Sequence, residues 1–328
     1  MRRRFPEIAA HGARLHKALH RDVRGVGVSD LGVEVWSGSV ATWECDRMGH
    51  LNVRFYVARA MEALAGLAAE LGMPRAFSPA AESTLVVREQ HIRFLREARP
   101  GALLRITGAV VEMGETDARL LLLMRHENGD IAASFQTVMS HVTARELRPF
   151  PWPERARARA AALSATIPPR AEARSISLAP ATITASLERA RALGLTCISA
   201  GAILPQDCDA FGRMRAEIFM SRVSDGVPRL SVDAPGAAAL GGAALEYRLI
   251  HLAWPRAGDR VQMWSGVAAA DERTRRLIHW FLDPESGQPW GVADATAASF
   301  DLETRKLAVL GPEALEAVRQ RVAPGLTL

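Results

Sequence analysis

The sequence predicts an α+β protein of two tandem domains, each a strongly twisted antiparallel sheet wrapped around a long helix. Three observations carry that expectation. A loop motif occurs twice, a long apolar helical stripe follows its first occurrence, and each occurrence leads into strand-like segments bounded by turn residues. The 328 residues suffice for two domains of ordinary size, and a chain 48% hydrophobic and 23% charged is globular over most of its length.

The repeat aligns Glu44-Cys45-Asp46-Arg47-Met48-Gly49-His50-Leu51 with Asp207-Cys208-Asp209-Ala210-Phe211-Gly212-Arg213-Met214 at a shift of 163 residues. The same shift pairs Gly38 with Gly201, Val40 with Ile203, Phe55 with Ile218 and Tyr56 with Phe219. Further on, Gly101 and the alternating run 103–111 match Gly258 and 261–267 at a shift of 157, small insertions and deletions explaining the drift. The turn Asn128-Gly129 matches Ser286-Gly287, each between two strand-like runs. The expected organisation is an N-terminal helical extension at 1–28, a first domain at 29–150, a Pro-, Arg- and Ala-rich connector at 151–180 and a second domain at 181–328.

Taken in order, a strand at 33–42 leads into the motif loop. Asn52 then caps a helix in which Val53, Tyr56, Val57, Ala60, Leu64, Leu67, Ala68 and Leu71 form one apolar stripe ending at Gly72. Strands follow at 83–97, 102–113, 118–125 and 130–144, each ended by Pro, Gly or Asn-Gly, and the connector carries a short helix at 154–164. The second domain restarts with a strand at 197–204 and the repeated loop. Its helix must be shorter or broken, because Pro228 lies soon after the loop and 227–242 is rich in Gly, Pro and Ala. A helix with one long apolar stripe needs a surface to cover it, and a twisted sheet supplies one.

Composition narrows the function. The formal charge of +5 comes from arginines scattered among acids, Lys17 and Lys306 being the only lysines, with 6% aromatics. That is not the basic block with interleaved aromatics of a nucleic-acid protein, so no nucleic-acid partner is expected. No stretch is apolar enough for a membrane helix, so no membrane partner is expected either. Arg2-Arg3-Arg4 lacks the apolar segment of an export signal, and three cysteines without a C-x-x-C pair support neither a disulfide framework nor a zinc ribbon; the expected location is cytoplasmic. No Gly-x-Ser-x-Gly elbow occurs, and His91, His126 and His141 lack metal-ligand spacing, so neither a metal nor another cofactor is expected. Cys45 and Cys208 read as small packing residues, and Trp254, Trp264, Trp280 and Trp290 as core.

The run Asp46-Arg47-Met48-Gly49-His50-Leu51-Asn52-Val53-Arg54-Phe55-Tyr56 resembles the Asp-x-x-Gly-His-x-Asn-x-x-x-Tyr signature of hotdog-fold acyl thioesterases of the 4-hydroxybenzoyl-CoA thioesterase type. The resemblance extends over both halves, strongly in the first and weakly in the second, as in double-hotdog chains. It implies hydrolysis of an acyl thioester, carried by coenzyme A or an acyl carrier protein, at the seam between two hotdogs. A homodimer of such chains is one assembly to expect.

By that resemblance Asp46 is the catalytic carboxylate, acting as nucleophile or general base, and His50 and Asn52 hold the loop, the carboxylate or the water. Gly49 permits the tight loop and close approach of substrate, the Val53 backbone N–H polarises the thioester carbonyl, and Tyr56 lines the acyl cavity. The chemistry agrees: thioester hydrolysis needs a base or nucleophile together with donors where negative charge develops, and a helix start offers such donors. The second copy has Arg213 and Arg215 in place of His50 and Asn52. Its Asp209 is expected to be paired with arginine in a structural role, with anion binding the competing reading. An acyl-CoA binding or sensing protein that does not cleave is the alternative function. Hydration of enoyl thioesters lacks its Asp-x-Asn-Pro-x-His arrangement.

Overall fold

The computed structural model describes residues 32–230, 240–301, 303–304 and 306–328, so the helix expected within 1–28 lies outside the described residues. From β1 (Val33–Ser39) the chain passes through the motif loop into α1 (Val53–Glu70), then β2 (Ser83–Phe94), β3 (Leu103–Met113), β4 (Asp117–His126) and β5 (Ile131–Thr143). After α2 (Glu154–Ala162) and α3 (Leu187–Ala192) the order recurs. The second round is β6 (Thr196–Ala202), α4 (Ala216–Gly226), β7 (Leu240–His251), β8 (Arg260–Ala270), β9 (Thr274–Leu282) and β10 (Pro289–Asp301), followed by α5 (Pro312–Arg319).

The ten described strands form one antiparallel sheet in the order β1-β3-β4-β5-β2-β7-β10-β9-β8-β6. Each half has the same order read outward from the middle. The halves are two tandem hotdog domains joined edge to edge, where Glu89–Arg93 of β2 pairs with Glu246–Ile250 of β7.

Asn52 starts α1 by accepting the Arg54 N–H at 2.9 Å, and Tyr56, Val57, Ala60, Leu64 and Leu67 bury the stripe against the sheet. Both central helices lie against the first strand of their own half through a glycine. A Cβ on Gly66 would sit 2.5 Å from the Val35 carbonyl oxygen, and one on Gly226 would sit 2.7 Å from that of Ile198. Gly66→Ala therefore lowers thermal stability even though alanine favours helix by about 1 kcal/mol, since overpacking costs about 1–3 kcal/mol. A melting curve with an unchanged or raised midpoint would refute this close contact. Helix α4 has 11 residues against the 18 of α1 and passes at Pro228 into a 3-10 turn.

The segment after the first sheet does more than connect. Helix α2 lies over β3, as α5 lies over β8, with parallel bridges Val110–Ser164 and Val267–Val322 in matching places. Residues 170–179 then run across the outside of the β2–β7 seam, held by charged side chains that the pairing brings together. Arg93 donates to the carbonyls of Arg170 and Glu172, and Arg248 to those of Ser177 and Ala179. Arg248 also grips Glu89 through two bonds of 3.1 and 2.9 Å. Beside it the buried Glu246 takes His91 Nε2 at 2.7 Å, the Arg174 and Ser175 N–H groups and the Ser175 hydroxyl. Burial alone would raise the Glu246 carboxyl, but these hydrogen bonds outweigh it and hold the group down at about 2.

Candidate active site at the seam

The expected strand at 33–42 stops at Ser39, and Thr42–Glu44 forms a 3-10 turn before the loop. The buried Glu44 explains the difference: one oxygen accepts the Ala41 N–H at 2.9 Å and the other pairs with Arg59. Asp207 repeats the device on the Leu204 N–H at 3.1 Å. The acid that opens each motif copy thus holds a turn.

Within the loop, Asp46 Oδ1 accepts the Met48 N–H at 2.8 Å and the His50 N–H at 3.4 Å, the Asp46 N–H donates to the His50 carbonyl, and Gly49 adopts φ +75°. Gly49 is required by that left-handed backbone and not by crowding, for a Cβ there would meet nothing within 4 Å. Asp46 Oδ2 has no hydrogen-bond partner among the described residues. At the adjoining helix start, the Asn52 N–H donates to the Glu44 carbonyl and the Arg54 N–H to Asn52 Oδ1. The Val53 N–H between them has no such partner among the described residues, at the end of α1 where the aligned peptide dipoles place positive potential.

Asp46, His50, Val53 and Tyr56 line one cavity of about 250 Å³. Further walls come from Phe94 at the end of β2, from Glu97 beyond it and, across the seam, from Ala243 and Ala244 of β7 and Phe300 of β10. The buried His50 faces Glu97, with Nε2 3.4 Å from its Oε2. Tyr56 accepts the Ala98 N–H at 3.2 Å and so pins the segment that carries Glu97; burial pushes its phenol well above the ordinary value and keeps it protonated. Burial, with Asp46 and Glu44 nearby, also raises the Cys45 thiol, which keeps it a thiol donating to the Ala41 carbonyl.

Asn52 stands apart from this cavity. Its amide Nδ2 donates to Ser224 Oγ of α4 at 2.8 Å while Oδ1 caps α1, so the side chain ties the two central helices together. Asn52→Ala is expected to cost about 2 kcal/mol, from a lost cap and a lost interdomain bond. Denaturant unfolding with an unchanged midpoint would contradict that role.

The motif does not announce Glu97 or the walls from the second half. The residue at Glu97's repeat position is Trp254, so no acid recurs there to mark the position, and the β7 and β10 residues reach the cavity only through the seam.

A second cavity, of about 320 Å³, lies where the repeat places its counterpart, between the Asp209 loop and the α1–β2 side of the first half. The loop backbone is the same: Asp209 Oδ1 accepts the Phe211 and Arg213 N–H groups at 2.8 and 3.0 Å, and Gly212 has φ +74°. The difference is at Oδ2, which Arg213 occupies with Nε at 3.0 Å and Nη2 at 2.8 Å. No cluster of three or more His, Cys, Asp or Glu side chains suited to a metal ion occurs among the described residues, and no described helix is long and apolar enough to cross a membrane.

Comparison with known proteins agrees with this geometry. Among solved structures, a protein assigned as an oleoyl thioesterase from Lactobacillus plantarum superposes with a TM-score of 0.62 at 11% identity, over 81% of this chain and 95% of its own. The 12:0-ACP thioesterase from Umbellularia californica gives 0.62 at 13% identity, over 81% and 93%. An acyl-ACP thioesterase from Bacteroides thetaiotaomicron gives 0.58 at 11%, over 81% and 96%. At these identities the likeness is one of fold. No curated protein matches the chain in sequence. The family model of the thioesterase-like superfamily matches residues 40–160 and again 203–318, one match to each half and each containing one motif loop. With that double match on a palindromic sheet, the chain belongs to the thioesterase-like superfamily, as a tandem double-hotdog thioester hydrolase.

Proposed function

We propose that the chain hydrolyses an acyl thioester in the first cavity, with Asp46 as the base or nucleophile and the Val53 N–H as the donor to the thioester oxygen. The observation that supports this most is that a carboxylate oxygen and a helix-start amide, both without partners among the described residues, belong to residues lining the same cavity. In the general-base form, Asp46 Oδ2 takes a proton from water as the water oxygen bonds to the acyl carbon. The charge that gathers on the carbonyl oxygen is met by the Val53 N–H and the field of α1, and the carbon–sulfur bond then breaks with the thiolate leaving as thiol after protonation. His50 orients the loop through its backbone and faces Glu97 through its ring, and Tyr56 and Phe94 shape the wall against the acyl chain.

The substrate class is acyl-CoA or an acyl carrier protein thioester. The exposed Arg47, Arg96 and Arg99 flank the cavity and give its surroundings cationic groups suited to the phosphates of either carrier. A thiol-release assay across short, long, branched and aromatic acyl-CoAs, repeated with acyl carrier protein thioesters, tests the reading. Thiol release above the uncatalysed rate that Asp46→Asn abolishes supports it; binding without release, or release indifferent to Asp46, overturns it.

A further inference from the structure

The repeat leaves a second chamber that the hydrolytic chemistry does not use. With Asp209 Oδ2 taken up by Arg213, no carboxylate oxygen is left in that loop to act as Asp46 does. The chamber has nonetheless stayed open. Its walls are apolar where α1, β2 and α4 supply them, through Met61, Ala65, Leu85, Val87 and Ala216.

Its polar end is unbalanced towards donors. The Arg213 side chain is 95% buried and lies over the Phe211 ring, yet its Nη1 has no hydrogen-bond partner among the described residues; nor do the buried Arg215 Nε and Trp254 Nε1, on two further residues lining the chamber. The acids lining it are already engaged, Asp209 by Arg213, Glu217 by Arg215 at 3.1 Å, and Glu62 by Arg59 and the Trp36 indole. Arg256 adds a third guanidinium beside the loop, its Nη1 3.9 Å from where a Cβ on Gly212 would lie. Unsatisfied buried donors carry a free-energy penalty that an acceptor relieves. A ligand that fits has an anionic acceptor head and an apolar tail.

We propose that this second cavity binds a free aliphatic carboxylate, with its head on Arg213, Arg215 and Trp254 and its alkyl chain along α1 and β2. A carboxylate accepts several hydrogen bonds at once, which matches a donor-rich end, and about 320 Å³ lies at the small end of the roughly 300–1,000 Å³ of ligand pockets. On the reading of the first cavity as a thioester hydrolase, the same class of compound is released across the seam, so the second cavity senses product.

The test is calorimetric titration of the full chain with sodium decanoate, using decan-1-ol as the control that lacks the charged head. Saturable decanoate binding to the wild type, weaker by about tenfold or more in Arg213→Gln and for decanol, is the expected result. Because Arg213 also holds Asp209, Ala65→Phe provides a variant that fills the chamber and leaves that pair intact; it is expected to lose decanoate binding while keeping hydrolysis. Undiminished binding in Ala65→Phe, equal binding of decanol, or no binding to the wild type overturns the proposal. The wild type separates the two readings: decanoate binding to a chain that releases no thiol from any acyl thioester supports the carboxylate site and removes only its identification with product.

Discussion

Asp46→Asn lowers kcat for thioester hydrolysis by about 10²- to 10⁴-fold, the span expected when a positioned base is removed, and leaves the melting temperature in place. The two effects separate because the two oxygens of Asp46 do different work. An asparagine Oδ1 still accepts the Met48 and His50 N–H groups that shape the loop, whereas the charge at Oδ2, which meets no described partner, is gone. Asp209→Asn gives the opposite pattern. Hydrolysis survives, but the buried Arg213 loses its counter-charge at a cost of about 1–3 kcal/mol, below the roughly 3–5 of a fully buried pair because the Asp209 side chain is 32% exposed. Measuring rates and melting curves for both variants settles the assignment, and equal rate losses would reject a single catalytic loop.

Glu246→Gln is expected to destabilise the chain by about 3–5 kcal/mol, the largest stability effect among these substitutions. Glu246 is 2% exposed and accepts four hydrogen bonds; a glutamine presents one acceptor oxygen and turns an NH₂ group on these donors, of which the Ser175 hydroxyl can turn to Thr296 while the Arg174 and Ser175 N–H groups lose their acceptor. The pH dependence follows from the same contacts. A carboxyl held at about 2 in the fold and near 4.5 in the unfolded chain stabilises the fold fully above the higher value, and that contribution disappears as pH falls from 4.5 towards 2. The contribution is about 3 kcal/mol. Urea unfolding of the wild type therefore shows a loss of stability across that interval that is shallower in Glu246→Gln. Parallel pH profiles for the two proteins would show that Glu246 is not held as described.

Much of this architecture is legible before any coordinates, for identifiable reasons. A duplicated loop with an invariant Asp-x-x-Gly core survives because Gly49 and Gly212 share a backbone angle that other residues rarely adopt, so the repeat is visible at those positions even where side chains differ. The α1 stripe is legible because its buried face follows helical spacing without interruption. Less legible is whatever depends on the edge pairing of β2 with β7. His91, Glu246, Arg248 and Glu89 are polar residues in strands, and nothing local says that they converge under residues 170–179. Asn52 reads as a cap, which it is, but its bond to Ser224 depends on the placement of α4. Helix α2 reads as part of a connector because its Arg-Ala pattern is weakly amphipathic, and only the matching position of α5 shows its place in the repeat.

The strap across the β2–β7 junction keeps both halves on one polypeptide, and with them both chambers. Two separate chains meeting along that edge would part on dilution, and a substitution in one would appear in both. Here the encounter is intramolecular, so the junction should persist at nanomolar protein as at millimolar. Freed from symmetry, the two loops differ where their backbones agree, the first carrying His50 and Asn52 and the second Arg213 and Arg215.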